Sequence, residues 1–588
     1  MSSGDPKPQS AAVTDTKDTA EADQASLSVG RGTSLGVRRI EAVAQHISLV
    51  SRVLLFVGIF IVAYVYSLDI SLRYAYQPTA TDSFSSHSLL ATISVLRSVV
   101  ASAAQPTAAK IADVFGRIEL LLLSIVFYVV GTIVDATSDG IKSFSAGAVL
   151  YQVGFTCVSF LVEVLLSDIT SLRSRLFFSY IPVSPFLINA WASGDVAEAA
   201  LANIGWRVGI GMWAIIYPVS TIPLILVLYW AHRKAKKGGN MNSYKTDFQI
   251  DGGIKDLFWK LDVPGMILMI AVLALILVPL TLAGGSSATW HKAHILAPLL
   301  IGVACIPAFI LWETSKAQHP MVPFYLLKDR TVWGGLGVVT AMNCAASVQG
   351  DYLYTVLIVS FNQSVLSATR ITNLYSFVSC LTGLAIGLVV YKLRRLKWVI
   401  VCGSALHLVA FGLLIHFRGG GDAPTVSGMV GAQVLLGISC GMFTYATLAS
   451  IQATARHEHL AVITGVYFAC FNIGGATGNA ISGAIWTQIL PGRLQQDLGD
   501  GNLSTLVYDS PFTAIEDYAW ASPERDAIVV SYRYTQRILC ITGICVASLV
   551  CIFALCLRDV YLTKDQSLPD AEEKGKKNGT ARFTCTDT

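Results

Sequence analysis

Charge is what this chain lacks most: Asp, Glu, Lys and Arg make up 14% of its 588 residues, where soluble domains run at about 25%. With 53% hydrophobic residues and a mean hydropathy of +0.58, too little polar surface remains to hide the apolar part from water. No CxxC pair and no His/Cys spacing suited to zinc occurs, which excludes a protein-built metal cage of that kind. Of the twelve cysteines, only Cys585 lies outside the apolar runs, so no disulfide framework is written here. No basic stripe with interleaved aromatics accompanies the net charge of +4, and nucleic acid is not an expected partner. No apolar segment follows the initiator Met within about the first 45 residues, which are rich in Ser, Asp, Lys and Ala. They are expected to form a disordered cytosolic tail and not a signal peptide.

What the chain does have is apolar runs, at roughly 52–76, 86–109, 118–136, 144–166, 175–194, 207–231, 264–284, 293–313, 332–357, 371–391, 397–416, 427–449, 461–488 and 537–557. Each is near the ~20 residues a helix needs to cross a hydrocarbon core, and too long for a barrel strand. The expected fold class is therefore an all-α membrane protein with fourteen transmembrane helices. Placing the N-terminus inside puts Lys110 and Arg117, Arg173 and Arg175, the cluster Arg233, Lys234, Lys236 and Lys237, and the cluster Lys392, Arg394, Arg395 and Lys397 in the cytoplasm. The opposite short loops carry about one basic residue each, as the positive-inside rule requires, so both termini are expected to be cytoplasmic. The sequons at Asn362 and Asn502 then face outside, while the one at Asn578 falls in the cytosolic tail. Two loops are long: a cytosolic one after six spans, and an outer one at 489–536 before the last span. The outer one, with Pro491, Pro511, Pro523, Trp520 and the exit Ser531-Tyr-Arg-Tyr-Thr-Gln-Arg537, is a candidate lid or receptor surface.

Between spans two and three stands Ala109-Lys-Ile-Ala-Asp-Val-Phe-Gly-Arg117. Asp113, Gly116 and Arg117 here resemble the loop signature of the major facilitator superfamily, a charge latch at the mouth of two helices; the plainer alternative is a capping turn. Further segments in the right order are Tyr66-Ser-Leu-Asp-Ile-Ser-Leu-Arg-Tyr-Ala-Tyr76, Ser167-Asp-Ile-Thr-Ser-Leu-Arg-Ser-Arg175, Ala190-Trp-Ala-Ser-Gly194, Trp206-Arg-Val-Gly-Ile-Gly-Met-Trp213, Gly483-Ala-Ile-Trp486 and the Tyr/Arg/Gln exit of the outer loop. Together, over roughly residues 52–558, the chain resembles the fungal siderophore-iron transporters. The resemblance implies a 6+2+6 major facilitator fold and import of ferric hydroxamate chelates by proton symport, with heme or glutathione carriage as alternatives within the family. Residues 1–45 are then the N-terminal tail, 46–231 the first six-helix bundle, 232–263 the cytosolic loop, 264–313 an inserted helix pair, 314–558 the second bundle and 559–588 the C-terminal tail. The glycine-proline run that proton-coupled drug exporters of the superfamily carry in the fifth helix is missing from Leu176 to Trp191, which speaks for import over an efflux antiporter.

An ionised side chain in a span usually faces a cavity and acts there. Tyr66, Asp69, Arg73 and Tyr76 share one face of the first span. Asp69, about 12 Å from the outer end of its run, and Arg97, about 15 Å from its own, are at depths that let them meet. Asp69 is thus expected to titrate against Arg97 or Arg73, or else to form a static pair. In the 6+2+6 arrangement, spans one, four, nine and twelve line the cavity, offering Glu163 as a second proton site, Asp351 and Tyr352, and Gln433 and Tyr445. Asp168 with Arg173 and Arg175 makes a second inner latch or stays in solvent. His407 is expected to be a packed histidine, and Arg456-His-Glu-His459 is not a metal site. A bulky chelate of little charge needs aromatic faces and a few hydrogen bonds: Tyr66, Trp191, Asp351, Tyr352, Tyr375 and Tyr445 are candidates, with Tyr532 and Tyr534 by resemblance. The iron is expected to stay in its organic chelate as cargo, with no resident cofactor and a proton gradient as energy source. The chain is expected to be a monomeric, non-enzymatic carrier in the plasma membrane, with an endosomal vesicle as the alternative location. A non-transporting siderophore sensor is the remaining alternative.

Overall fold

A computed structural model of the protein describes residues 49–170, 172–237, 258–259, 261–282, 291–317, 326–419, 425–455 and 459–562. The first bundle contains α1 (Leu49–Ser83), α2 (Leu90–Val114), α3 (Arg117–Ala136), α4 (Ile141–Ile169), α5 (Leu172–Ser179), α6 (Phe186–Asn203), α7 (Gly205–Gly211) and α8 (Trp213–Lys237). The inserted pair is α9 (Val263–Leu282) and α10 (Ala293–Leu311). The second bundle contains α11 (Arg330–Gly350), α12 (Leu353–Phe361), α13 (Val365–Leu393), α14 (Lys397–Gly419), α15 (Val426–Gln452), α16 (Leu460–Leu498), α17 (Gly501–Asp509), α18 (Pro511–Glu516) and α19 (Pro523–Cys556).

Among the described residues, twelve helices are long and apolar enough to cross a membrane. Two of the fourteen expected spans fall outside that set. Span two is α2, a long helix that spends positions on Arg97, Gln105 and small polar residues facing its neighbours. Span five is cut into α5 and α6 by the turn at residues 180–185, where Pro182 and Pro185 can offer no amide hydrogen to a helical ladder. Span nine is interrupted too, by a turn at Asp351 and Tyr352 between α11 and α12.

Lipid tails are as apolar as leucine, so helices in a membrane associate through close packing and small residues. The α3–α4 pair is built this way. A Cβ at Gly154 would lie 2.7 Å from the Ser124 carbonyl oxygen, and one at Gly131 would lie 2.6 Å from the Tyr151 Cα. Both are closer than a methyl group tolerates, so these glycines bring the two backbones into contact. The bundles meet along two seams, α2 against α16 and α6 against α13. In the first, Gly465 faces Ala109 and Gly483 faces Ala91; in the second, Gly194 faces Leu366 and Arg370. Helix α9 lies on both α2 and α16, with α10 against it, so the inserted pair covers the first seam.

The outer loop expected at 489–536 is mostly helical. Helix α16 runs on to Leu498, α17 and α18 follow, and α19 begins at Pro523. Pro511 and Pro523 occupy first helical positions, where a missing amide hydrogen costs nothing.

Candidate functional site

Three helices converge on one guanidinium. Arg73 of α1, 5% exposed, donates from Nε to Asp69 Oδ1 at 2.9 Å, from Nη1 to Asp135 Oδ2 of α3 at 2.7 Å and from Nη2 to Thr132 at 2.9 Å. Its charge lies 3.7 Å over the Tyr151 ring of α4, a cation–π contact. The second oxygen of Asp69 accepts from the Tyr128 hydroxyl, and Tyr128 stacks on Tyr217 of α8 at 3.8 Å. Asp69 is therefore fully engaged inside the protein.

Arg97 does not pair with Asp69; it donates to Gln152 at 3.0 Å and to Gln77 at 3.2 Å. The reason is depth. Helix α1 continues to Ser83, so Asp69 lies fourteen residues, about 21 Å, from that end. Arg97 lies seven residues, about 10 Å, from the start of α2. The equal depths read from the apolar runs fail because Gln77-Pro-Thr-Ala-Thr-Asp-Ser83 continues the helix. Asp135, the network's second acid, was not among the expected site residues. It is the next-to-last residue of an apolar run and so looks like an interfacial group, although it is 1% exposed.

A second cluster joins the bundles at mid-chain depth. Ser179 donates to Glu163 at 2.7 Å, and Glu163 is within electrostatic reach of Tyr66, Tyr445 and Tyr467. Tyr180 donates to the Gly441 carbonyl at 2.9 Å across the bundle boundary and meets the Tyr445 ring edge-on. Tyr375 donates to Cys440 Sγ. The structure thus gathers Tyr66, Glu163, Tyr375 and Tyr445 from both bundles around one polar centre.

A third cluster lies toward the 499–522 end. Asp351 accepts from Ser482, Tyr352 stacks on Trp486 at 3.9 Å and 2° between planes, and Tyr532 meets Trp486 edge-on while donating to the Val507 carbonyl. Tyr352 and Tyr532 are packed shut in this conformation. Trp191 and Tyr534 are elsewhere: Trp191 is half-exposed against Phe377 and Arg370, and Tyr534 lies under Arg493 at 3.9 Å. Residue type selected Trp191, and the resemblance of the outer-loop exit selected Tyr534. Tyr532 and Tyr534 sit two residues apart on α19, so their side chains leave the helix about 200° apart.

At the opposite end, Gly116 has φ 123 and ψ 174, backbone that an L side chain adopts only under strain, and it starts α3. Arg117 donates to the Ala112 carbonyl at 2.7 Å and to Asp168 at 3.2 Å. One arginine therefore links the two expected latches. The side chains of Asp113 and Arg173 lie outside the described residues; Arg175 reaches the Ser167 and Thr170 carbonyls. His407 is fully buried, with Ser439 at 2.9 Å and Phe411 and Phe443 edge-on to it, a packed histidine. Residues 456–458 lie outside the described residues.

The helical segment 501–516 closes on the first bundle. Asp82, near the end of α1, accepts from the Phe512 amide at 3.2 Å and from the Thr513 hydroxyl at 3.1 Å, which satisfies the start of α18. Asp82→Ala removes that cap, a loss of about 0.5–2 kcal/mol. Limited proteolysis of the purified protein should then cut the 510–522 stretch, α18 included, faster than in the wild type, with the long helices untouched. An unchanged rate would mean that Asp82 does not hold the segment.

Two bundles that meet along paired seams, with rare ionisable groups buried among their helices, define a multi-pass membrane transporter of the major facilitator type. The fold is shared with a bacterial homolog of the human lysosomal transporter Spinster, in an inward-facing and unoccupied conformation. That structure has a TM-score of 0.54 at 13% identity, covering 87% of this chain and 98% of that one. It is also shared with a peptide transporter POT, TM-score 0.53 at 15% identity, covering 90% and 100%. The model of a family described as "Fungal trichothecene efflux pump (TRI12)" matches residues 62–561. Siderophore iron transporter 1 of Saccharomyces cerevisiae is 42% identical over 92% of this chain and 87% of its own length. Siderophore iron transporter ARN1 of the same yeast is 40% identical over 87% and 82%, and siderophore iron transporter mirC of Emericella nidulans is 33% identical over 92% and 90%. This chain belongs to the fungal siderophore iron transporter family of the major facilitators.

Proposed function

We propose that the chain imports ferric siderophores by alternating access, driven by protons. The observation that carries this reading is the 42% identity, over nearly the whole chain, to a protein named a siderophore iron transporter. Buried carboxylates and arginines between helices supply groups able to move protons. The cargo is a hydroxamate chelate whose iron keeps its organic oxygen ligands, and Tyr66, Tyr375 and Tyr445 offer it ring faces beside Glu163. Asp351, Tyr352 and Tyr532 reach it only after the 499–522 end opens; Trp191 and Tyr534 are peripheral.

The finer architecture belongs to the same proposal. Counting α2 and the α5–α6 pair as spans makes fourteen, and the basic loops place both termini in the cytoplasm. The 499–522 segment is then an outer lid, while Gly116, Arg117, Asp168 and Arg175 form the inner latch together with Asp113 and Arg173. The carrier works as a monomer in the plasma membrane.

A second reading, export, is favoured by the efflux pump description of the matching family model. Cells expressing only this carrier should accumulate a radio-iron-labelled ferric hydroxamate, and a protonophore should abolish the accumulation. Faster loss of preloaded compound from the same cells, with no uptake, would establish export instead.

A further inference from the structure

The strongest unexplained feature is a small cavity beside the Arg73 network, of ≈ 10 Å³, room for about one water molecule. Its walls are Arg73, Gln77, Arg97, Asp135 and Tyr151 on one part and Phe144, Ala148 and Ile210 on the rest, so charged and polar groups share the lining with apolar side chains. Three buried polar atoms of those lining residues have no hydrogen-bond partner: Asp135 Oδ1, an acceptor, Gln77 Nε2, a donor, and the Tyr151 hydroxyl, which can be either. An unmet acceptor and an unmet donor around a water-sized space are what a bound water requires.

The two acids on Arg73 are therefore unlike. Asp69 has both oxygens engaged, one by Arg73 and one by Tyr128. Asp135, which lines the cavity, has one oxygen on Arg73 and the other, close to Gly147 of α4, without a hydrogen-bond partner. Position separates them as well: Asp135 meets Arg73 near the end of α3 on the side of the 499–522 segment, while Asp69 lies one helical turn, about 6 Å, further down α1. A proton entering from that side meets Asp135 first.

We infer that Asp135 is the carboxylate that takes and releases the coupling proton, through the water-sized cavity, with Arg73 passing the change of charge to Asp69. The inference rests on the proton-driven reading above. Water delivers a proton to Oδ1, the carboxylate becomes a neutral acid, and the ion pair to Arg73 Nη1 is lost; of its two ion pairs the guanidinium then keeps the one to Asp69, beside Thr132 and the Tyr151 ring. Deprotonation restores the pair. The charges in view are Asp69 and Arg73 from α1, Arg97 from α2 and Asp135 from α3, which sum to zero before the proton arrives and to one positive charge after it. The phenols of Tyr76, Tyr128 and Tyr151 and the amides of Gln77 and Gln152 complete the neutral surroundings. Arg207 of α7 is engaged with the Ser138 carbonyl at 2.6 Å and the Trp206 ring, and Asp139 in the following turn is exposed. Because α1 carries Asp69 and also Tyr66 of the cluster around Glu163, a change in the hold on Arg73 is a change in the hold on a helix that lines the pathway.

The test uses the full-length protein in liposomes and a panel of radio-iron-labelled ferric trihydroxamates. Two assays are run side by side: accumulation driven by an inward proton gradient, and exchange of labelled for unlabelled chelate without a gradient. Asp135→Asn is expected to lose gradient-driven accumulation and the dependence on external pH while exchange remains measurable, and Asp135→Glu to regain accumulation. Gradient-driven accumulation in Asp135→Asn would overturn the assignment while leaving proton coupling intact. Equal loss of accumulation and exchange in both variants would make Asp135 a purely structural partner of Arg73, which also overturns it. A wild type that moves no member of the panel, or gains nothing from the gradient, would overturn the coupling reading and this assignment with it.

Discussion

Arg73→Leu is expected to be the most damaging single change to a side chain in this protein. It removes a guanidinium that holds Asp69, Asp135 and Thr132 and covers the Tyr151 ring, all of them buried. Two carboxylates are then left in the interior without their cation, and removing one partner of a buried ion pair costs about 3–5 kcal/mol. That is a large part of the roughly 5–15 kcal/mol by which folded proteins are stable. The midpoint of thermal unfolding in detergent should fall sharply, and accumulation of chelate should cease. Neutralising both acids in the same background, as Arg73→Leu with Asp69→Asn and Asp135→Asn, should recover most of the stability and none of the accumulation, because it removes the orphaned charge without restoring a titrating group. A single variant as stable as the wild type would show that the network is not held by this arginine. Arg73→Lys should also fail, since one ammonium cannot reproduce a planar fork reaching three partners on two helices.

The second large effect is expected from a residue without a side chain. Gly154→Val places two methyl groups where α4 lies against the α3 backbone, with even a Cβ only 2.7 Å from the Ser124 carbonyl oxygen. Backbone cannot rotate out of the way as a side chain can, so the helices must part, at a cost near the upper end of the roughly 1–3 kcal/mol known for overpacked interiors. The parted helices carry Tyr128 and Asp135 on one side and Tyr151 on the other, so the Arg73 network is pulled open as well. The variant should lose the sharp, symmetric peak of the wild type in size-exclusion chromatography and unfold at lower temperature. Gly140→Ala, where a Cβ meets nothing within 4 Å, is the control and should behave as the wild type. If Gly154→Val matched that control, the close α3–α4 contact would be refuted.

Much of this arrangement is legible in the residues themselves. Helices write themselves as apolar runs, and the face shared by Asp69 and Arg73 follows from a spacing of four, which the structure turns into an ion pair. Three things resist such a reading. Helix α1 outlasts its apolar run, because a helix end needs only backbone hydrogen bonds and not greasy side chains, so the depth of Asp69 was misjudged relative to Arg97. Asp135 stands where an apolar run stops, which is also where an ordinary surface acid would stand; its burial depends on neighbours from α1, α4 and α7, which the pattern within α3 does not report. The prolines at 511 and 523 punctuate helices instead of marking an open loop, and proline reads the same in both settings until the flanking turns are known.

Only one of the two lateral seams is covered by the inserted pair. Among the described residues no further helix covers the flank along α6 and α13, where Trp191 is half-exposed and the Arg370–Asp195 ion pair lies at the surface. The molecule is thus upholstered on one side and open on the other, and its surrounding lipid is not equivalent around the circumference. If the bundles move against each other as proposed above, hydrophobic compounds dissolved in the bilayer reach their boundary sideways along α6 and α13, and a bulky acyl chain lodged there would hinder that motion without competing for the cargo.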